Sequence, residues 1–110
     1  MEREVRHEVT KGTAYEALGY SREEAIVRAM RVLIAEEISR YVKRKRMTQT
    51  AAAGFFGVSQ PRISNVLNGK LRGFTIDLLL KMASKTDRVP SLSFRPVRGE
   101  KASTAEQRMA

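Results

Sequence analysis

Residues 48–69 leave few options for the fold, because their pattern predicts two short helices joined by a tight turn. Gly57 permits the positive φ that such a turn needs. Ser59 is a typical N-cap for the second helix, and Pro61 falls in its first turn, where a missing N–H costs little. Asn68 and the glycine after it are expected to end that helix.

One side of this predicted helix pair is apolar at helical spacing, as a buried face requires. Thr48 can cap the first helix, and Ala53 is small enough for a second helix to cross closely. The residues expected to point inward are Ala52, Ala53, Phe56, Ile63, Val66 and Leu67. Phe55 and Phe56 could also offer a stacking surface to single-stranded nucleic acid, but core packing is favoured for Phe56.

The other side of the second helix is polar and carries no acidic residue. Its exposed members are expected to be Gln60, Pro61, Arg62, Ser64 and Asn65. Gln and Asn can bond to adenine through two hydrogen bonds, Arg to guanine, and Ser to either partner. The pattern therefore favours a helix that reads DNA bases, although helix pairs of this kind also serve as plain packing units.

Positive charge is concentrated in the second part of the chain. Residues 1–42 carry 7 Lys/Arg and 8 Asp/Glu, whereas residues 43–110 carry 14 and 4. Between Glu37 and Asp77 there is no acidic residue. A surface without carboxylates suits a polyanion, because each carboxylate would repel phosphate. Charge alone is also found in ribosomal proteins, in membrane-surface proteins and in proteins that are merely very soluble.

Two further helices are predicted to flank the pair. The first begins near Ser21, which forms a capping box with Glu24, and it ends in the basic cluster of residues 43–46. Its apolar face is expected to comprise Ile26, Met30, Leu33, Ile34, Ile38, Tyr41 and Val42. The last helix begins after Thr75 and has apolar positions at Ile76, Leu79, Leu80, Met82 and Ala83.

The C-terminal part departs from this helical pattern. Within Val89–Val97, Leu92 and Phe94 alternate with Ser91, Ser93 and Arg95, which predicts a strand. It would be a short edge strand, because Pro90 and Pro96 cannot donate to a sheet. A lone strand needs a partner, and the same strand of a second copy could supply it. The prediction is an all-α protein of four to five helices with a short C-terminal β-strand. Residues 1–20 are expected to form a partly disordered arm, residues 21–98 the domain, and residues 99–110 a flexible tail.

Several kinds of protein are disfavoured by what the sequence lacks. It has no cysteine, which excludes disulfides, thiolate zinc sites and cysteine nucleophiles. No apolar run approaches the roughly 18 residues of a membrane span, so a cytoplasmic protein is expected. His7, the one histidine, is interpreted as a surface residue. Nothing assembles a nucleophile, a base and an oxyanion site, so we expect no enzyme, no metal site and no cofactor.

The helix pair resembles the Cro/repressor-like (XRE) helix-turn-helix family. In that family the unit starts with Gln, has Ala at its fifth place and Gly at its ninth, which here are Gln49, Ala53 and Gly57. The apolar places of the unit are filled by Ala52, Phe56, Val58, Ile63 and Val66. With its flanking helices the resemblance covers roughly residues 21–85. It implies a lambda-repressor-like helix bundle that binds double-stranded operator DNA.

The resemblance also implies roles for particular residues. Gln49 would hold a phosphate, Gln60, Pro61 and Asn65 would face the groove, and the loop with Lys70 and Arg72 would lie along the DNA backbone. Further phosphate contacts are expected at Thr48, Lys43 and Arg46, although a solvated helix end explains residues 43–46 equally well.

A looser resemblance concerns residues 12–25, which are similar to antitoxins of the host-inhibition-of-growth type. It implies an RNA-cleaving toxin as partner and repression of the protein's own operon. We therefore expect a homodimeric transcriptional repressor. The alternatives are a repressor without a toxin, a module that binds an acidic protein, and a non-specific nucleic-acid binder.

Overall fold

The computed structural model describes residues 14–97, and this range is built from α-helices. The helices are α1 (Arg22–Arg44), α2 (Gln49–Phe56), α3 (Gln60–Leu67) and α4 (Ile76–Ala83). Residues 14–17 are helical as well. The predicted all-α class is confirmed. Predictions that fall on residues 1–13 and 98–110, which include most of the N-terminal arm and the whole tail, lie outside the described residues.

Helix α1 begins at the predicted capping box. The backbone N–H of Ser21 donates to Glu24 Oε1 at 3.0 Å, and the N–H of Glu24 donates to Ser21 Oγ at 3.1 Å. The first of these hydrogen bonds has the Glu24 carboxylate as its acceptor and stabilises its charged form. The backbone N–H of Ser21, then its side chain and the nearby charge of Arg28, therefore lower the pKa of Glu24.

The core joins all four helices. α1 packs against α3 and α4, and α2 packs against α3. Ile38, Ile63 and Leu79, one from each of three helices, are fully buried. The long helix thus supports the helix pair from behind, and this leaves the opposite side of α3 free to face solvent.

The predicted apolar face of α1 is correct in its C-terminal half and wrong in its N-terminal half. Ala25 and Ala29 are buried there, whereas Ile26 is 49% exposed, and Met30 and Leu33 are partly buried. Both sets recur at helical spacing and differ by one residue, which is about 100° around a helix with 3.6 residues per turn. Periodicity predicts that a stripe exists, but two stripes so close together compete, and here the small residues face the bundle.

The predicted C-terminal strand is absent from the single chain. Residues 88–97 form neither helix nor strand, and Val89, Leu92 and Phe94 are 88%, 72% and 90% exposed. A strand needs a partner for its backbone N–H and C=O groups, and the part of the chain that the structure describes contains no other strand.

Candidate nucleic-acid interface

Helix α2 starts and ends at the predicted residues. Thr48 Oγ1 accepts the backbone N–H of Ala51 at 3.1 Å, and Gly57 has the left-handed conformation, with φ 71° and ψ 35°. A hydrogen bond that the sequence did not predict closes this end, because Lys85 Nζ donates to Phe56 O at 3.3 Å. The tight turn is therefore held by its own backbone and by the segment after α4.

Helix α3 is capped at both ends by its own side chains. Ser59 Oγ accepts the backbone N–H of Arg62 at 3.3 Å, and Pro61 lies in the first turn. At the other end Asn68 Nδ2 donates to the carbonyl oxygen of Ser64 at 2.9 Å. A helix this short is marginal alone, so its caps and its two buried residues, Ile63 and Val66, fix its position.

Four of the five residues predicted on the exposed side of α3 face solvent, and for Ser64 the prediction is wrong. Gln60, Pro61, Arg62 and Asn65 are exposed, whereas Ser64 is partly buried. This placement follows from helical geometry, since the fully buried residues of α3 lie on the opposite side. The exposed set belongs to a helix whose first turn carries no acidic side chain.

Gln60 has a partner that sequence reasoning missed. Its Nε2 donates to Thr50 Oγ1 at 2.9 Å, which links the first turn of α3 to the first turn of α2. An amide group has a second N–H and a carbonyl oxygen, so this bond leaves Gln60 able to pair with a base edge while it restricts the side chain.

The predicted phosphate contacts are all on the surface, at three separate positions. Thr48 and Gln49 lie at the N-terminus of α2, where the helix dipole is positive. Lys70 and Arg72 lie in the loop between α3 and α4, and Lys43 and Arg46 lie at the end of α1. The exposed residues of this set are Thr48, Gln49, Lys70, Arg72, Lys43 and Arg46.

Two cations near the end of α1 have partners within the protein. Arg44 Nη2 lies 2.7 Å from Asp87 Oδ1, and Lys45 Nζ lies 5.7 Å from the centre of the Tyr41 ring. Phe55 is 37% exposed and stacks on Tyr41 at 5.5 Å. Part of the basic cluster therefore pairs with groups of the protein itself, and the phosphate contacts expected at Lys43 and Arg46 stay a prediction.

Arg62 lies against an aromatic ring that sequence reasoning did not connect to it. Its guanidinium carbon is 4.9 Å from the centre of the Phe74 ring, and Phe74 is buried. Arg31 of α1 holds the same loop, because its Nη1 donates to the carbonyl oxygens of Leu71 at 3.4 Å and Phe74 at 3.2 Å. The helical spacing of residues does not predict these contacts, because each contact joins residues far apart in the sequence.

Within residues 14–97 the structure offers neither a cluster of metal ligands nor a membrane-spanning helix. In this range no group of three or more His, Cys, Asp or Glu side chains is placed to hold a metal ion. No helix of the range has both the length and the apolar composition that crossing a bilayer requires.

Comparison with known proteins agrees with this geometry. Residues 14–89 match a family described as a helix-turn-helix domain. A solved structure assigned to the XRE family of transcriptional regulators superposes with a TM-score of 0.61 and 28% sequence identity, over 72% of this chain and 89% of that chain. No curated protein matches the chain by sequence. The family match spans all four helices and ends as the residues without regular structure begin.

Proposed function

The chain belongs to the helix-turn-helix domain family, and we propose that this DNA-binding regulator is a homodimeric repressor of specific operator sequences. The observation that carries the proposal is the exposed polar set of α3, which includes Gln60, Arg62 and Asn65. These three side-chain types form the base contacts that distinguish adenine and guanine in the major groove. Binding alone accounts for this function, so we propose no catalytic step and no cofactor.

In the proposed complex α3 enters the major groove with its N-terminal half toward the bases. Arg62 would bond to guanine, and Gln60 and Asn65 to adenine. Pro61 offers an apolar contact to a thymine methyl group. Ser64 is partly buried, and its hydroxyl lies 3.4 Å from Asn68 Nδ2, so we assign it a smaller part than the other four.

Contacts to the DNA backbone would fix the orientation of α3. The N-terminus of α2 provides free backbone N–H groups and the amide of Gln49, and the Thr48 hydroxyl can donate its proton while its oxygen caps the helix. Lys70 and Arg72 would reach the phosphates from the loop after α3. Lys43 and Arg46 belong to the stretch of sequence between Glu37 and Asp77 that has no acidic residue, and they would add positive charge near the end of α1.

A homodimer would place two copies of α3 in successive major grooves. Half-sites about 34–36 Å apart on a near-palindromic operator would result. The segment of residues 88–97 is the proposed dimer contact, because its apolar side chains are exposed and two of them, Leu92 and Phe94, stand at alternate positions. A dimer bound over a promoter would exclude RNA polymerase, which is the basis for proposing repression.

Selection from a random DNA pool tests the proposal directly. The purified full chain is incubated with randomised duplexes at about physiological salt, 0.15 M, and the bound fraction is sequenced. We expect an enriched palindrome, and an Asn65→Ala variant should lose preference at one position in each half-site. The absence of any enriched sequence, with binding that disappears as salt rises, would contradict the proposal and favour a basic surface for acidic proteins or for nucleic acid in general.

A narrower proposal concerns the partner of this repressor. We propose that it is the antitoxin of a toxin pair, on the basis of the resemblance of residues 12–25 to antitoxins of the host-inhibition-of-growth type. A neighbouring open reading frame for a basic, RNase-like protein that co-purifies with this chain is the expected result. A gene neighbourhood without such a frame would leave a repressor that acts without a toxin.

A further inference from the structure

The geometry points to Arg31 and Phe74 as positioning residues that set the base preference of Arg62. Neither residue is on the exposed face of α3, and neither would touch DNA in the proposed complex. The inference rests on the proposed function and adds to it the means by which one base contact is prepared before DNA binds.

Arg31 fixes the turn that carries Phe74. Its Nη1 bridges the carbonyl oxygens of Leu71 and Phe74, and the backbone N–H of Phe74 donates to Leu71 O at 3.0 Å. Leu71 and Phe74 are both buried, and Gly73 between them has φ +84°. Two hydrogen bonds from Arg31 and two buried side chains therefore hold this turn against α1, and a third hydrogen bond closes the turn itself.

The fixed Phe74 ring in turn supports Arg62. Phe74 is 3% exposed, so its ring has little freedom to move, and the guanidinium of Arg62 lies 4.9 Å from its centre. Attraction between a cation and the face of an aromatic ring reduces the conformers that a long side chain populates. A guanidinium on a ring face keeps the N–H groups of its edge available, and those are the groups that bond to guanine O6 and N7.

This arrangement predicts a specificity effect and not only an affinity effect. A mobile Arg62 can bind any nearby phosphate as readily as a guanine, because the oxygens of a phosphate also accept its N–H groups. An Arg62 held on the Phe74 ring is restricted to fewer directions, so one base pair benefits and other sequences do not. Loss of the support should therefore relax preference at one position while most of the general affinity remains.

The test compares three variants of α1 by DNA selection with the full chain. Arg31→Met removes the N–H donors but keeps an unbranched apolar side chain. It also removes a buried Nε that has no hydrogen-bond partner among the described residues. Arg31→Lys restores one cationic donor to the two carbonyls. Arg28→Met is the matched control, because Arg28 lies one turn earlier and its guanidinium is 4.1 Å from the Tyr20 ring, away from the loop.

Arg62→Ala should reduce the base preference at one position of the site. We expect Arg31→Met to reduce the preference at that same position about tenfold. Arg31→Lys should retain most of that preference, and Arg28→Met should match the wild-type chain. An Arg31→Met protein that is folded and keeps the wild-type preference would overturn this inference but not the proposed function. A wild-type chain that enriches no sequence would overturn the proposed function, and the inference with it.

A measurement on the free protein keeps the inference testable if Arg31→Met binds DNA too weakly for selection. The motion of the Arg62 Nε–H bond is measured by NMR relaxation in the wild-type chain, in Arg31→Met and in Phe74→Leu. Restricted motion in the wild-type chain and faster averaging in both variants is the expected result. Equal motion of Arg62 in all three proteins would contradict the proposed support.

Discussion

Asn65 on α3 and Lys70 in the following loop lie close together but would contribute to DNA binding in different ways. The backbone N–H of Lys70 donates to Asn65 O at 2.8 Å, so the two residues share one local structure. An amide can form two directed bonds to adenine, whereas an ammonium is a point charge that interacts with any phosphate. Two variants at adjacent sites can therefore separate base reading from charge.

Lys70→Ala is expected to weaken binding to all sequences by a similar factor. Each phosphate contact releases counterions, so its loss should reduce the slope of log K against log salt by about one. Asn65→Ala is the matched control, for which we expect a cost of roughly 1–3 kcal/mol at one base pair and an unchanged slope. Fluorescence anisotropy over a salt series gives both quantities, and an unchanged slope for Lys70→Ala would rule out a phosphate contact there.

The surface positions of single residues were predictable, but their partners were not. Helical spacing shows that Gln60 and Arg62 point away from the core, and the structure confirms their exposure. Helical spacing does not show which groups these side chains contact, because the partners Thr50 and Phe74 belong to other elements. The contribution of Arg31 was missed for the same reason, since its contacts cross 40 and 43 residues.

Helix boundaries were the most predictable part of the fold, because each is set by local chemistry. Thr48, Ser59 and Thr75 each accept a backbone N–H from three residues ahead, as their sequence positions indicate. The prediction of the apolar face at the start of α1 was wrong because two sets of apolar residues, one containing Ala25 and the other Ile26, both recur at helical spacing. The predicted strand at Val89–Val97 was wrong for the single chain because its formation depends on a partner.

Two glycines in one motif should respond in opposite directions to the same substitution. Gly54 lies inside α2 with no atom within 4 Å of an added Cβ, so Gly54→Ala should stabilise the fold by up to about 1 kcal/mol. Gly57 has a positive φ, and an added Cβ would lie 3.2 Å from Lys85 Nζ, so Gly57→Ala should destabilise it by about 1–2 kcal/mol. Urea unfolding gives both changes. Equal effects of the two variants would show that the turn does not require glycine.

The capping box of α1 should weaken in acid. Because the pKa of Glu24 is lowered in the folded state, its stabilising contribution is present above the group's ordinary pKa and is lost as the pH falls through the lowered value. The NMR shift of the Ser21 amide proton should follow this titration. Glu24→Gln is the control, because glutamine keeps the cap without a titrating group, and its Ser21 amide should stay constant with pH. A titration of the same size in Glu24→Gln would assign the change to another group.

Along the chain, the stretch without acidic residues and most of the exposed apolar side chains occupy different segments. The carboxylate-free stretch between Glu37 and Asp77 includes α2 and α3, whereas the exposed apolar side chains lie chiefly before and after it. Among them are Ile26 on α1 and Leu92 and Phe94 near the C-terminus. An apolar side chain left in water is a candidate for contact with another molecule, and such a contact would leave the basic face open to DNA.

The segment of residues 88–97 is the proposed place of that contact, and its alternation gives a sharp test. If copies pair as strands through this segment, Leu92 and Phe94 of both copies lie side by side on one face of the ribbon, while the serines between them lie on the other face. Phe94→Asp should therefore shift the full chain from dimer to monomer in sedimentation experiments. Because Phe94 is 90% exposed in the single chain, the substitution should leave the helical fold intact.

Ser93→Asp is the control for this test, since it adds the same charge at the adjacent position on the other side of the segment. It should leave the dimer in place. The monomeric Phe94→Asp protein should still bind a single half-site but lose the cooperative binding of a palindrome, because the two copies of α3 would no longer be linked. If Phe94→Asp and Ser93→Asp remain equally dimeric, the two copies associate through another surface, and the exposed side of α1 around Ile26 would be the next to mutate.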